Sequence, residues 1–486
     1  MSRQGLMMQT FYWHDYETWG ADPKRDRPAQ FGGLRTDAEL EPIGEPLVIY
    51  SRPSDDMLPQ PEACMVTGIS PQLAYAKGVP EAEFIAQIHR ELAQPGTCGV
   101  GYNSIRFDDE FTRFTLYRNL FDPYAREWQN GNSRWDIIDM VRLTHALRPE
   151  GIEWPSDAAG RPSFRLELLT AANGIAHQAA HDALSDVYAT IALARLIKQR
   201  QPRLYGYLLS HRNKHQLRDL LNLKATPPIL LHVSSMYPVE LGCIAPVVAL
   251  AQHPTNSNGV IVFDLRQDPA PLLELDDEQI HQRLFTPTAD LPEGVERIPL
   301  KTVHLNKCPV LVPTNTLTAE AAERWQINLE QAERHRQQLL SAPELQAKIS
   351  RVHQMKQFEP QTDPDLSLYS GPFFSEDDRR RMQQIRETPV DQLAGLHFAF
   401  DDARLPEMLF RYRARNWPET LNETERQRWD EYRQTRLFDA DGGGAIQLDE
   451  YLAQLDLLAA DEGLSAERRA LLPQLLEWAE RVAESG

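Results

Sequence analysis

The chain has 486 residues, 42% of them apolar and 25% charged, with 9 Trp, 15 Tyr and 17 Phe; this composition excludes wholesale disorder, and the length suits two or three domains. No stretch approaches the roughly 20 apolar residues that a membrane span needs, and residues 1–9 lack the regions of a signal peptide, so no membrane role and a cytoplasmic location are expected. The formal charge of −19, from 51 Lys and Arg against 70 Asp and Glu, disfavours a polyanionic partner unless cations are concentrated locally or acids are neutralised by metal.

Residues 6–17 alternate well enough to read as a strand, which places Phe11, Trp13, Asp15 and Glu17 on one face. Gly20 and a turn rich in Pro, Asp and Arg follow. Residues 46–50 and 98–102 read as further strands, and 81–92, 108–120, 136–147 and 183–199 as helices, giving an α/β sheet core over residues 1–201. Beyond Pro202 short apolar runs at 229–233, 243–250 and 260–265 are separated by Pro, Asn and Gly, so 202–355 is expected to be a small β-rich domain. Polar helical stretches dominate from about Thr318, with 360–365 as a linker and 356–486 as a helical C-terminal domain. Cys64, Cys98, Cys243 and Cys308 form no CxxC pair and read as reduced thiols.

Three separated pieces carry the chemistry: His14-Asp15-Tyr16-Glu17-Thr18 at the end of the first strand, Tyr102-Asn103-Ser104-Ile105-Arg106-Phe107-Asp108, and His181-Asp182-Ala183-Leu184-Ser185-Asp186. On a strand, residues two apart point the same way, so Asp15 and Glu17 can address one cation or a pair. Asp108 opens a helix after a strand and its turn, although alone it would serve equally as an N-cap. His181 stands just before a helix that carries Asp186. Four converging carboxylates repel one another and are tolerable only with cations between them. Oxygen ligands favour Mg²⁺ or Mn²⁺, and two such ions roughly 3.5 to 4 Å apart would clamp a phosphodiester and acidify the attacking water. His181 is then assigned as general base.

Asp-x-Glu, Asn-x-x-x-Phe-Asp and His-x-x-x-x-Asp, in this order, resemble the three motifs of DEDD exonucleases with a histidine in the last. The pieces Phe11-Tyr12-Trp13-His14-Asp15-Tyr16-Glu17-Thr18, Ser163-Phe164-Arg165-Leu166-Glu167, Ala180-His181-Asp182-Ala183 and His304-Leu305-Asn306-Lys307-Cys308-Pro309 are similar to the bacterial exonuclease I family along nearly the whole chain. The resemblance implies an α/β ribonuclease-H-like exonuclease domain, an SH3-like β-barrel and an α-helical C-terminal domain that together encircle single-stranded DNA. It implies a monomer that degrades single-stranded DNA from 3′ to 5′ and releases nucleoside 5′-monophosphates, with roles in DNA repair and recombination. Asp15, Glu17, Asp108 and Asp186 become the ligands of two Mg²⁺, with Mn²⁺ as a substitute. His181 orients or deprotonates the water, and Glu17 and Arg165 contact the terminal nucleotide.

A strand-tracking enzyme needs cations interleaved with aromatic platforms. Arg113, Tyr124, Trp128, Arg134 and Arg142 offer this between the second and third motifs, with the first group favoured by the resemblance. The run Phe410-Arg411-Tyr412-Arg413-Ala414-Arg415-Asn416-Trp417 alternates cation and ring as well, although buried rings and solvated arginines explain it equally. The resembled family is associated with the single-strand-binding protein, whose acidic C-terminal tail would suit Arg148 and Tyr207 beside the basic region containing Arg203, Arg212, Lys214 and Arg218. Residues 439–450 match five positions of a calcium-binding loop, but Gly443 supplies no fifth-position ligand, so a solvated glycine-rich turn is the expectation. A DEDD enzyme that prefers RNA and a non-catalytic single-strand-binding protein are the alternatives.

Overall fold

Residues 10–18 form a strand whose side chains are buried on both faces, in keeping with the rings of Phe11, Tyr12, Trp13, His14 and Tyr16 along it. In this computed structural model, which describes residues 9–177, 181–223, 226–356 and 361–484, that strand, β1 (Thr10–Thr18), is the centre of the first of two units. The first unit draws on residues 1–133, 177–191 and 360–486, and the second on 134–176 and 192–359. Residues 6–8 of the expected first strand lie outside the described residues.

Within the first unit, β1 pairs antiparallel with β2 (Pro28–Thr36) and parallel with β4 (Thr97–Gly101), while β3 (Leu47–Tyr50) closes the other side of β2, for an order of β3-β2-β1-β4. The register sets Asp15 opposite Gly32 and Glu17 opposite Gln30. A short β5 (Ser133–Asp136) falls where the chain passes from the first unit to the second. Helix Glu81–Leu92 forms as expected: Phe84, Ile85, Ile88 and Leu92 recur at helical spacing and pack on Tyr12, Tyr16, Phe31 and Leu116. Strand β2 and the helices Pro61–Thr67 and Pro71–Lys77 were not expected from the sequence.

The C-terminal helices share cores with this α/β layer. Trp19, Met57 and Cys64 pack with Leu437, Ile446, Tyr451, Leu475 and Trp478, and Phe114, Tyr117 and Leu120 with Leu368, Met382, Ile385, Leu405 and Met408. Between the cores runs a buried network of arginines and acids. The Asp56 carboxylate lies 3.0 Å from Arg27, 2.9 Å from Arg415 and 3.6 Å from Arg436. Asp365 lies 2.6 Å from Arg415 and 3.0 Å from Arg411. Burial alone would push Asp56 up, yet Arg27, Arg415 and Arg436 hold it well below the usual carboxylate range.

Two expectations are corrected by this network. Arg411, Arg413 and Arg415 of helix Leu405–Asn416 do not offer cations to a groove: their guanidinium groups are buried and engaged by Asp363, Glu407, Glu425, Asp56 and Asp365. Nor are residues 363–365 of the expected linker solvated throughout. Pro360 lies outside the described residues, but Asp363 caps the turn Pro364–Leu366 and Asp365 is buried.

The second unit contains an all-antiparallel sheet of β6 (Leu230–Val233), β7 (Ile244–Gln252), β8 (Gly259–Asp264), β9 (Leu300–His304) and β10 (Val310–Pro313), in the order β10-β6-β7-β8-β9. Alternate residues serve opposite faces. Val248, Ile261 and Phe263 pack with Ile280, Ala332, Ile349 and Val352, whereas Val247, Ala249, Val260 and Val262 pack with Leu217, Leu221 and Leu305. The apolar runs read from the sequence are β6, β7 and β8, each shifted by a residue or two.

Removing one partner from a buried, fully paired charge leaves the others uncompensated, which costs about 3–5 kcal/mol. Asp56→Ala is therefore expected to lower stability by about that amount in denaturant unfolding, whereas Asp377→Ala, which breaks an exposed pair with Arg380, is expected to leave the midpoint unchanged. Equal effects of the two substitutions would contradict the role given to the network.

Candidate active site

Asp15 and Glu17 project from one face of β1, and each of the other two acids reaches that face from the first turn of a helix. Asp108 opens helix Asp108–Arg118, and its Oδ1 accepts a 2.9 Å hydrogen bond from the backbone N–H of Tyr16, between the two strand acids. Asp186 sits in the first turn of helix Ala183–Arg200. A helix N-terminus favours a carboxylate, so both positions help to hold negative charge there.

Strand β2 sets how close the second helix comes. A Cβ at Gly32 would stand 2.5 Å from the Leu184 nitrogen and 2.6 Å from the Ala183 carbonyl carbon, so only glycine permits the approach. Gln30 completes the attachment: its amide donates to Asp182 Oδ2 at 3.3 Å and its carbonyl accepts from the Ala183 N–H at 3.3 Å. Because Gly32 pairs with Asp15 and Gln30 with Glu17, docking the helix on β2 delivers Asp186 to the strand acids.

The resulting cluster is electrostatically strained. Burial first, and then the charges of Asp108, Glu17, Asp186 and Asp182, drive the Asp15 carboxyl well above its ordinary range. Burial, Asp186 and Asp182 push Glu17 up to about 8. Burial also raises Asp186, opposed by His177, whose Nε2 lies 2.5 Å from Asp186 Oδ1. His181 is exposed, with a left-handed backbone at φ 66°. One ligand atom each of Glu17, His181 and Asp186 lie within 4.8 Å of one another, which among the described residues is the one such grouping of three. Carboxylates held together against their own repulsion, joined by an imidazole, form a donor set that fits a divalent cation. Asp439, Asp441 and Glu450 form no such grouping.

The structure therefore brings Asp15, Glu17, Asp108, His181 and Asp186 together, and adds three residues that the sequence reading missed. Gln30 and Gly32 lay in a segment to which the sequence assigned no element. His177 carried a weak signal, a second histidine four residues before His181.

The other expected contacts are placed variously. In the first unit Trp128 is 65% exposed, which leaves a ring face open. Arg113 is buried and bound at 2.7 and 2.9 Å to Glu127 and at 2.9 Å to Glu110, and its guanidinium stands 5.5 Å from the centre of the half-buried Tyr124 ring. In the second unit Arg165 is exposed and pairs with Glu167, and Arg142 pairs with Asp139 at 2.6 Å. Arg134 is displaced from the expected groove role, buried with its guanidinium donating to the Asn306 carbonyl at 2.7 Å. Arg148 is half-buried and donates to the Leu147 carbonyl at 2.5 Å, and the Tyr207 hydroxyl donates to the Leu311 carbonyl at 3.0 Å.

Comparison with known proteins gives a consistent result. Residues 12–194 match a family model described as Exonuclease, 212–355 the Exonuclease I SH3-like domain, and 362–482 the Exonuclease I C-terminal domain. Exodeoxyribonuclease I of Escherichia coli (strain K12) is 47% identical over 483 residues, 99% of this chain and 100% of its own length. Exonuclease I of Methylocaldum szegediense, described as moderately thermophilic, is 54% identical with a TM-score of 0.94, over 98% of this chain and 99% of the other. The zinc-bound complex of E. coli exonuclease I with single-stranded DNA is 46% identical with a TM-score of 0.93, over 98% and 100%. An α/β exonuclease domain, an SH3-like domain and a helical C-terminal domain thus follow one another, and the chain belongs to the exodeoxyribonuclease I family.

Proposed function

We propose that the protein removes nucleotides successively from the 3′ end of single-stranded DNA, hydrolysing each phosphodiester to release a nucleoside 5′-monophosphate. The observation that carries this reading is the convergence of Asp15, Glu17, Asp108 and Asp186 with His181 on one face of β1. Its support is the similarity to an E. coli enzyme solved with single-stranded DNA and zinc.

Asp15, Glu17, Asp108 and Asp186 would hold two Mg²⁺, with Mn²⁺ as a substitute. Bound there, the cations would neutralise the scissile phosphate and lower the pKa of the attacking water. His181 receives the proton of that water, since its ring stands beside Glu17 and Asp186. His177 fixes the orientation of Asp186 from behind. Glu17 and Arg165 address the terminal nucleotide, and Tyr124, Trp128 and Arg142 the bases and phosphates that follow, with Arg113 supporting Tyr124.

The same reading includes a monomeric, cytoplasmic protein of DNA repair and recombination that meets the acidic tail of the single-strand-binding protein at Arg148 and Tyr207. It also divides the chain at 1–201, 202–355 and 356–486; each matched family model falls inside one of these segments.

Time-resolved digestion of a 5′-labelled DNA strand tests the assignment. The wild type is expected to shorten the strand progressively from its 3′ end with Mg²⁺ and to leave it intact with EDTA. Asp15→Ala is expected to abolish shortening, and His181→Ala to slow it by about 10² to 10⁴-fold while DNA binding persists. Full activity of either variant, or shortening in EDTA, would overturn the site.

The raised carboxyl groups also predict how stability depends on pH. The folded state of the metal-free protein favours the protonated form of Glu17, so this group's contribution is fully present below the ordinary carboxylate pKa and is lost as pH rises through about 8. Thermal unfolding in EDTA should therefore show Tm falling across that window, with a shallower fall in Glu17→Gln and on addition of Mg²⁺. A metal-free Tm that rises through the window in the wild type and is unaffected by Glu17→Gln would contradict this.

A further inference from the structure

A charged cavity lies in the first unit, at the end of helix Glu81–Leu92, with a volume of about 260 Å³ and a lining that includes His89, Phe121, Asp122, Arg126, Asn132 and Arg386. None of these residues belongs to the acidic cluster or to the expected nucleotide contacts.

One of its two lining arginines lacks a carboxylate partner. The Arg386 guanidinium lies 4.1 Å from the centre of the Phe121 ring and donates to the Leu120 carbonyl. Among the described residues no carboxylate pairs with it. Arg126 is buried, with 3% of its surface exposed; one of its terminal nitrogens pairs with Asp109 at 2.5 Å and lies 3.9 Å from Glu127, while its Nε has no hydrogen-bond partner. A buried donor left without an acceptor is costly unless something else supplies one. The lining carboxylate, Asp122, is already engaged: Oδ1 accepts from the N–H groups of Tyr124 and Ala125 at 2.9 and 3.0 Å, and Arg379 stands 3.5 Å from Oδ2. Burial pushes His89 down to about 4, so its ring is neutral at physiological pH and can donate one N–H without adding charge.

The geometry points to a binding site for a small oxyanion of the phosphate class, held between Arg386 and the unpartnered Nε of Arg126. The volume falls just below the range of about 300–1,000 Å³ typical of whole-ligand pockets. It suits a free phosphate or the phosphoryl end of a nucleoside monophosphate rather than an entire nucleotide. Arg126 also binds Asp109, the neighbour of Asp108, so an anion in this cavity shares its cation with the first turn of the helix that carries a site acid.

Calorimetric titration of the full chain in EDTA, with inorganic phosphate and separately with thymidine 5′-monophosphate, tests the proposal away from any metal-bound anion. Saturable binding of phosphate at one site is expected, weakened roughly tenfold or more in Arg386→Met, as for the loss of one charge-assisted hydrogen bond. Arg380→Met, an exposed position on the helix Glu376–Glu387 that also carries Arg386, is expected to bind like the wild type. Equal binding of the monophosphate would assign the site to phosphoryl groups, and binding of phosphate alone to the free ion; both support it. No saturable binding by the wild type, or unchanged binding in Arg386→Met, would overturn it. Should Arg386→Met not fold, anomalous scattering from selenate soaked into wild-type crystals decides: a peak within hydrogen-bond distance of Arg126 Nε supports the site, and none there overturns it.

Discussion

The repulsion among Asp15, Glu17, Asp108 and Asp186 is the constraint around which the first unit is arranged. Left to themselves these groups would separate or protonate, so their positions are over-determined by the backbone. Two come from one strand at a spacing of two residues, and two from the first turns of helices, where the peptide dipoles favour negative charge. The Tyr16 N–H fixes Asp108 against β1. Gly32 and Gln30 bring the Asp186 helix down onto β2. Local strain of this kind persists only where the surrounding packing holds it.

The packing that does so uses the opposite electrostatic solution. Asp56 and Asp365 are as deeply buried as the site acids, but arginines surround them and hold their carboxyl groups low. Asp15 and Glu17 face other carboxylates and are pushed up. Burial acts in the same direction in all four, so the sign of the nearby charge decides the outcome. Charges paired inside the protein tie the strands to the C-terminal helices, and charges left unpaired on one face of β1 create the demand for cations.

Much of this was legible in the sequence, for identifiable reasons. Strand β1 and helix Glu81–Leu92 bury continuous or periodic apolar faces, and both patterns survive in a single chain. The three acidic motifs could be read because strand and helix geometry places their side chains at fixed spacings. Strand β2 was not read: Pro28, Gly32 and Gly33 weaken any strand signal, yet Gly32 is there because the helix comes so close. The arginines of helix Leu405–Asn416 were open to misreading because a sequence shows alternating cation and ring without showing the acids that meet them. Asp56 and Asp365 lie hundreds of residues apart in the chain, and only the fold brings both to Arg415.

The central claim is that the acids of β1 are partly protonated until a divalent cation replaces the protons. Calorimetric titration with Mg²⁺ near neutral pH, in two buffers of different ionisation enthalpy, measures this directly. Net proton release is predicted, seen as a difference in apparent heat between the buffers that shrinks in Glu17→Gln. Saturable Mg²⁺ binding with the same heat in both buffers would show that the carboxylates are already ionised, and would contradict the account.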